Sequence, residues 1–432
     1  MLRPVTEQLK NETTTQKILV VGQGYVGLPL AMRAVQAGYD VVGFDIAVDR
    51  IETLRRGDSH IADVAPQEIT DALATGRYVA ESDAAALGGF DFAVITVPTP
   101  LADGIPDLTA IDDAAALLGP LVRPGCTVIL ESTTYPGTTD ERLAPALEAV
   151  SGFTAGIDFH VGYSPERIDP GNKEWTLTRT PKVVSGLTSE CLTVVTEFYD
   201  RIVDTTVPVA TTRIAELTKL LENTFRHVNI ALVNELAVHA RGLGVDIWSA
   251  IDAAATKPFG FTPFRPGPGV GGHCLPIDPS YLSWRIEREL GVTSRFVVAA
   301  NDINSHMPDY VIKRVQAGLN NRRKAVNGSR VLVLGIAYKK NTNDARETPA
   351  EPIVRGLADL GATVVVHDDH VGAHALDRVA DRVPLDQAEV ERCDAIVLVT
   401  DHDDVDYALV ERHASYVFDS RNRLSGDNID VL

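Results

Sequence analysis

The sequence predicts an α/β protein: two Rossmann-like, doubly wound parallel-sheet domains joined by a long central helix and a helical domain. Three observations carry this. Short apolar runs alternate with Ala- and Leu-rich helical stretches at both ends of the chain, the pattern of a parallel sheet covered on both faces. A glycine-rich turn directly follows the first apolar run. Between the two ends lies a proline-free segment, residues 212–243, whose apolar positions recur at spacings of three and four.

At 432 residues, and roughly 100–200 residues per domain, two to four domains are expected. The pattern places a disordered polar tail over 1–16, a first α/β domain over 17–208, a central helical domain over 209–320 and a second α/β domain over 321–432. Hydrophobic residues are 45% and charged residues 23%, which excludes a disordered chain. The net charge of −19 disfavours a general nucleic-acid or anionic-membrane surface but is compatible with a local basic pocket. The four cysteines, Cys126, Cys191, Cys274 and Cys393, are scattered with no CxxC pair. They form neither a disulfide framework nor a metal site, and they fit a reducing, cytoplasmic compartment. No apolar run is long enough to span a bilayer, and residues 1–15 lack the apolar core of a signal peptide.

In chain order, the first run is Lys17–Val21, followed by Gly22-x-Gly24-x-x-Gly27 and a helical stretch to Gly38. The next run, Val41–Phe44, ends at Asp45. This is a dinucleotide fingerprint in its proper context. Gly22 allows the tight turn, Gly24 lets backbone approach a pyrophosphate, and Gly27 permits close packing of helix on strand. The helix N-terminus then offers free N–H groups to phosphate. Asp45 can accept from a ribose 2′-hydroxyl and would repel a 2′-phosphate, favouring NAD over NADP. Further strands are expected over 91–97, 127–130 and 160–163, and helices over 109–121 and 139–150. Val97-Pro98-Thr99-Pro100 stands at a strand's carboxyl end, where open α/β sheets bind ligands; on its own it reads equally well as an ordinary loop exit.

In the long helix, Ile214, Leu217, Leu221, Phe225, Val228, Leu232 and Leu236 trace one apolar face. A helix of this length, about 45 Å, bridges domains or packs on a partner subunit. Lys219, Asn223 and Arg226 lie at i, i+4 and i+7 on another face. They either line a pocket or form a solvated surface. The glycine- and proline-rich loop 257–276 leads into Gly271-Gly-His-Cys274-Leu-Pro-Ile-Asp278-Pro279. Asp278-Pro279 reads as an N-cap with proline at the first helical position. Cys274, just before that helix, is either a thiolate favoured by the helix dipole or a small residue of a tight loop. His273 is given no role as a base. The second α/β unit runs through Arg330–Gly335, a helix near 348–360, Gly361–Asp368, Ala395–Thr400 and Tyr416–Asp419.

Taken jointly and in order, the motifs resemble the UDP-glucose/GDP-mannose dehydrogenase family, from Lys17 to about Arg423. They are Gly22–Gly27, Val97–Pro100, Glu131-Ser-Thr133, Tyr163-Ser-Pro-Glu166, Lys219 with Asn223, Gly271–Asp278, and Gly335-Ile-Ala-Tyr-Lys-Lys340 through Arg346. The resemblance implies NAD-dependent, four-electron oxidation of a UDP-sugar C6 alcohol to a carboxylate. It makes 17–208 the NAD-binding domain, 209–320 the dimerisation domain with the cysteine loop, and 321–432 the UDP-sugar-binding domain of a homodimer. Cys274 matches the nucleophile that forms a thiohemiacetal and then a thioester. Lys219 matches the residue stabilising oxyanions, Asn223 its substrate-binding neighbour, and Asp278 the carboxylate organising a base or water. Thr133 and Glu166 match residues around the reacting centre. NAD contacts are expected from Gly22, Gly24, Tyr25, Val26, Gly27, Asp45, Arg50, Pro98, Thr99, Thr133 and Arg346. Substrate contacts are expected from Glu166, Arg167, Lys219, Asn223, Arg226, Arg265, Gly271 and Lys339.

Within the family, Ser164-Pro-Glu-Arg167, Asn223-Thr-Phe-Arg226, Lys257–Phe264 and Gly272-His-Cys-Leu-Pro-Ile-Asp278 resemble the UDP-N-acetylhexosamine branch. Leu275-Pro-Ile277 favours the gluco over the manno epimer. Arg226 or Arg167 can read the acetamido carbonyl. UDP-N-acetylmannosamine and UDP-glucose are the alternative substrates. A two-electron hydroxy-acid dehydrogenase would share the first domain and the helix but has no use for Cys274. A non-catalytic NAD- or UDP-sugar-binding sensor is the alternative outside enzymes. Products of this branch feed surface polysaccharide assembly.

Overall fold

The computed structural model describes residues 15–432 except 62, 103, 169–171, 173, 273–274 and 373–379. Most of the expected tail, His273 and Cys274 therefore lie outside the described residues. The chain forms two compact units. The first comprises residues up to Ala102 and Pro106–Lys219; the second comprises Leu220–Leu432 with residues 104–105.

The first unit is built on a sheet of β1 (Lys17–Val21), β2 (Asp40–Phe44), β3 (Tyr78–Glu81), β4 (Phe92–Ile95), β5 (Thr127–Leu130), β6 (His160–Tyr163), β7 (Lys182–Gly186) and β8 (Thr206–Pro208). Their order is β8-β7-β6-β5-β4-β1-β2-β3. The order reverses between β1 and β4, which opens a crevice at the carboxyl ends of these strands. β1, β4 and β5 are apolar and almost wholly buried, as a sheet covered on both faces requires. Two features differ from the sequence reading. β7 runs antiparallel to β6, with Tyr163 opposite Ser185, so the sheet is not wholly parallel. β4 ends at Ile95, because Thr96 turns its hydroxyl onto the carbonyls of Val21 and Gly22 (3.0 and 2.9 Å).

In the second unit β9 (Arg330–Leu334), β10 (Thr363–His367), β11 (Asp381–Arg382), β12 (Ala395–Leu398), β13 (Val417–Asp419) and β14 (Ile429–Val431) form a parallel sheet in the order β11-β10-β9-β12-β13-β14. Its core packs Val311, Val315 and Leu319 of one helix and Ile353, Val354 and Leu357 of another onto Val331, Val333 and Val397. The long helix spans Thr212–Gly242. Its inner positions are Ala215, Glu216, Lys219, Leu220, Asn223, His227, Ala231 and Asn234, all buried. The apolar stripe faces outward instead: Leu221 is 61% and Phe225 51% exposed. On this inner face Glu216, Asn223, His227 and Asn234 make the buried hydrogen bonds described below. No helix among the described residues is long and apolar enough to cross a membrane.

Candidate active site

The turn after β1 is shaped by its glycines. Gly22 has φ +97°, and a Cβ there would lie 2.7 Å from the Thr96 carbonyl oxygen. A Cβ on Gly27 would lie 1.8 Å from the Gly22 carbonyl oxygen. A Cβ on Gly24 would meet nothing within 4 Å. Protein packing thus demands glycine at 22 and 27, whereas Gly24 faces open space, the opening a pyrophosphate needs. Val26 precedes the first residue of the helix Gly27–Gln36, and Tyr25 is exposed beside it.

Asp45 is buried at the end of β2. It accepts from the Gln23 N–H (2.8 Å), the Ala47 N–H (2.9 Å) and the Arg50 guanidinium (2.7 Å). Gln23 escaped the sequence reading. Its side-chain amide donates to the Val20 and Gly22 carbonyls and accepts from the Tyr78 hydroxyl, locking the turn. Thr99 donates to the Thr133 carbonyl (2.8 Å) and Ser132 to the Val97 carbonyl (2.8 Å). The loops after β4 and β5 are thus stitched together, with Pro98 exposed at the rim. These residues fit the ribose and pyrophosphate of a dinucleotide.

Glu166 follows β6. One oxygen accepts from the N–H groups of Arg167 and Ile168, and the other from Lys182 (2.9 Å). The Arg167 guanidinium donates to the Pro181 carbonyl. Near the start of the long helix Glu216 is fully buried. It accepts from the N–H groups of Gly137 and Thr139 and from the Thr139 hydroxyl, satisfying donors at the start of the helical segment from Thr139. Burial pushes its carboxyl up to about 7. The folded protein then holds this proton more tightly than the unfolded chain does. Its contribution to stability falls as pH rises from the unfolded carboxyl value, about 4.3, toward 7, by about 4 kcal/mol in all. Glu216→Gln should flatten that dependence, as read by urea midpoints at acid and neutral pH.

Lys219 is nine-tenths buried and has no hydrogen bond or ion pair among the described residues. An ammonium removed from water without a counter-charge is costly. One turn on, the Asn223 amide donates to Asp278 (2.5 Å), and both are buried. Asp278 is not the N-cap: Ile277 takes that position with helical dihedrals, and Asp278 is the first helical residue. The backbone already turns at Ile277, so the carboxylate points to Asn223 rather than back onto its own helix. Arg226, on the same face, is exposed, unlike Lys219 and Asn223.

The glycine loop packs tightly within the second unit. A Cβ on Gly271 would lie 2.7 Å from the Glu347 carbonyl oxygen, and one on Gly272 would strike the Tyr338 ring at 2.7 Å. A side-chain relay also joins the two ends of this loop. The Gly267 N–H donates to Asn234 (2.9 Å), Asn234 to Asn304 (2.9 Å) and Asn304 to His227 Nδ1 (3.4 Å). His227 Nε2 meets Asn301 Oδ1 (2.7 Å), and Asn301 donates to Ser280, whose hydroxyl faces the Pro276 carbonyl. The remaining cysteines, Cys126, Cys191 and Cys393, are buried. Burial raises the Cys126 thiol and pushes that of Cys393 up to about 12.

Three other expected contacts have protein partners. Arg265 pairs with Asp252, Arg346 with Asp344 (2.6 Å), and Lys339 accepts at its carbonyl from Thr342.

Sequence models of one family match three successive segments. They are the NAD binding domain of the UDP-glucose/GDP-mannose dehydrogenase family over 16–203, its central domain over 213–306 and its UDP binding domain over 332–426. The UDP-N-acetyl-D-glucosamine 6-dehydrogenase of Salmonella typhi is 37% identical over 389 residues, covering 89% of this chain and 90% of that protein. The protein of the same name from Pseudomonas aeruginosa is 38% identical over 388 residues, with 89% and 90% covered. The solved structure of UDP-D-ManNAc dehydrogenase from Pyrococcus horikoshii matches with a TM-score of 0.86 at 31% identity, covering 96% of this chain and 98% of its own.

Proposed function

The chain belongs to the UDP-glucose/GDP-mannose dehydrogenase family and is an NAD-dependent nucleotide-sugar dehydrogenase; from that premise we propose that it oxidises the C6 alcohol of UDP-N-acetylglucosamine to UDP-N-acetylglucosaminuronate. One alcohol, one water and two NAD give one carboxylate, two NADH and three protons. NAD, which the turn of Gly22, Gly24 and Gly27 and Asp45 would hold, would supply the hydride acceptor for both oxidations. Lys219 holds the negative charge that develops on the C6 oxygen, where a fixed cation in a dry site acts strongly. The Cys274 thiolate adds to the C6 aldehyde, and the sulfur retains C6 as a thioester after the second oxidation. Thr133 and Glu166 place the water that releases the acid, and Asn223 holds Asp278 beside the cysteine loop.

The observation that carries this reading is the buried Lys219, without a partner among the described residues, one turn from the Asn223–Asp278 pair. The two Salmonella and Pseudomonas relatives support the acetamido-gluco substrate; the Pyrococcus structure favours the manno epimer as the second reading. A panel of UDP-sugars with NADH counted by absorbance decides. About two NADH per UDP-N-acetylglucosamine are expected. Preferred turnover of the manno epimer or of UDP-glucose would replace the substrate, and one NADH per sugar would replace the mechanism.

The outward stripe Leu217, Leu221, Phe225, Leu232 and Leu236 supports a homodimer, since each such side chain contributes roughly 1.5–3 kcal/mol when covered. Leu221→Glu with Phe225→Glu should shift the dimer to monomer by at least roughly tenfold in dissociation constant, measured by sedimentation equilibrium.

A further inference from the structure

Three charged side chains meet at the carboxyl end of the first sheet, from three neighbouring strands. Glu131 follows β5, Glu166 follows β6 and Lys182 opens β7. The antiparallel entry of β7 makes this possible, because a strand running the other way brings its first residue to the edge where its neighbours end. Lys182 Nζ lies 3.1 Å from Glu131 and 2.9 Å from Glu166. Glu131 is 0%, Lys182 3% and Glu166 12% exposed at the side chain. The Tyr199 hydroxyl donates to Glu131 from behind, and the other Glu131 oxygen is buried with no partner among the described residues.

We infer that Lys182, anchored by Glu131, is a positioning residue that keeps Glu166 ionised and fixed in place. The inference rests on the reading of Glu166 as a site carboxylate. Two buried carboxylates sharing one ammonium carry one excess negative charge, so one of them is the weaker acid. The innermost carboxylate, Glu131, takes that part: burial outweighs the ammonium and leaves it above the ordinary range. Burial also pushes Glu166 up, but Lys182 and two N–H groups more than offset it and hold it below. The ionisable groups facing Glu166 among the described residues are Lys182 from β7 and Glu131 from β5, with Tyr199 behind; Arg167 is turned to Pro181.

The test is the pH profile of kcat for uronate formation. Lys182→Met should move the acid limb upward by at least about one pH unit, because the carboxylate pair then retains a proton. Lys182→Arg should restore it. Glu131→Gln, which removes the like charge, should leave the limb in place or lower it. A Lys182→Met protein with lower kcat at every pH and an unmoved limb would overturn the inference. If that variant fails to fold, Lys182→Met with Glu131→Leu removes one charge of each sign and must still move the limb upward, because a buried Glu166 then lacks its ammonium. Glu166→Gln separates the two ideas. If it forms uronate at the normal rate, the reading of Glu166 fails; if it is impaired while Lys182→Met leaves the limb unmoved, only the present inference fails.

Discussion

Cys274→Ser is expected to stop uronate formation and to cut the NADH yield from about two per sugar to at most about one. A serine hydroxyl at neutral pH is a far weaker nucleophile than a thiolate, so the aldehyde is not captured for the second oxidation. NAD binding should be unchanged, because the fingerprint turn lies in the first unit and owes nothing to sulfur. Equilibrium titration of NAD by fluorescence checks the second half, and chromatography of the sugar products checks the first. Because Cys126, Cys191 and Cys393 are buried, iodoacetamide should label native protein at one rapid site, and that label should vanish in the variant. Unimpaired uronate production would remove the sulfur from the mechanism.

Lys219→Met is expected to lower kcat by roughly 10²–10³ with a small change in the KM of the UDP-sugar. The ammonium is nine-tenths buried, with no counter-charge among the described residues. It gains most when the C6 oxygen becomes negative and less from the neutral alcohol, so its loss falls on the transition state rather than on ground-state binding. Methionine keeps the length and the apolar stem, and removing an unpaired buried charge should leave stability equal or higher. A melting temperature at or above that of the parent protein, together with the fall in kcat, would distinguish chemistry from folding. An equal rise in KM with kcat intact would show that Lys219 only binds.

The parts of this molecule legible in its sequence are those governed by local rules. Gly22, Gly24 and Gly27 announce the turn because backbone geometry and close approach dictate glycine there. The helix from Thr212 to Gly242 follows from its period and its lack of proline. Periodicity marks a helix face, however, and not what covers it: the stripe from Ile214 to Leu236 is turned outward. Pairings across long stretches of chain leave no spacing signal. Gln23 with Tyr78, Glu216 with the N–H groups of Gly137 and Thr139, and Lys182 with Glu131 are examples. Their only trace is a charged or amide residue next to an apolar run, as with Glu131 after Thr127–Leu130. The N-cap reading of Asp278 failed for a related reason. Asp-Pro is a good local cap signal, but Asn223, 55 positions away, offers the carboxylate a buried donor.

The amide relay that joins Gly267 to Pro276 has a single permitted polarity. Every link hands a hydrogen in the same direction, so His227 must carry its hydrogen on Nε2 and present a bare Nδ1 to Asn304. Burial keeps this imidazole less basic than usual, which preserves that tautomer at neutral pH. A second proton would set donor against donor at Nδ1 and break the ring at its midpoint. The described ends of the glycine loop, Gly267 and Pro276, are thus fastened by a clasp that only an uncharged histidine can close.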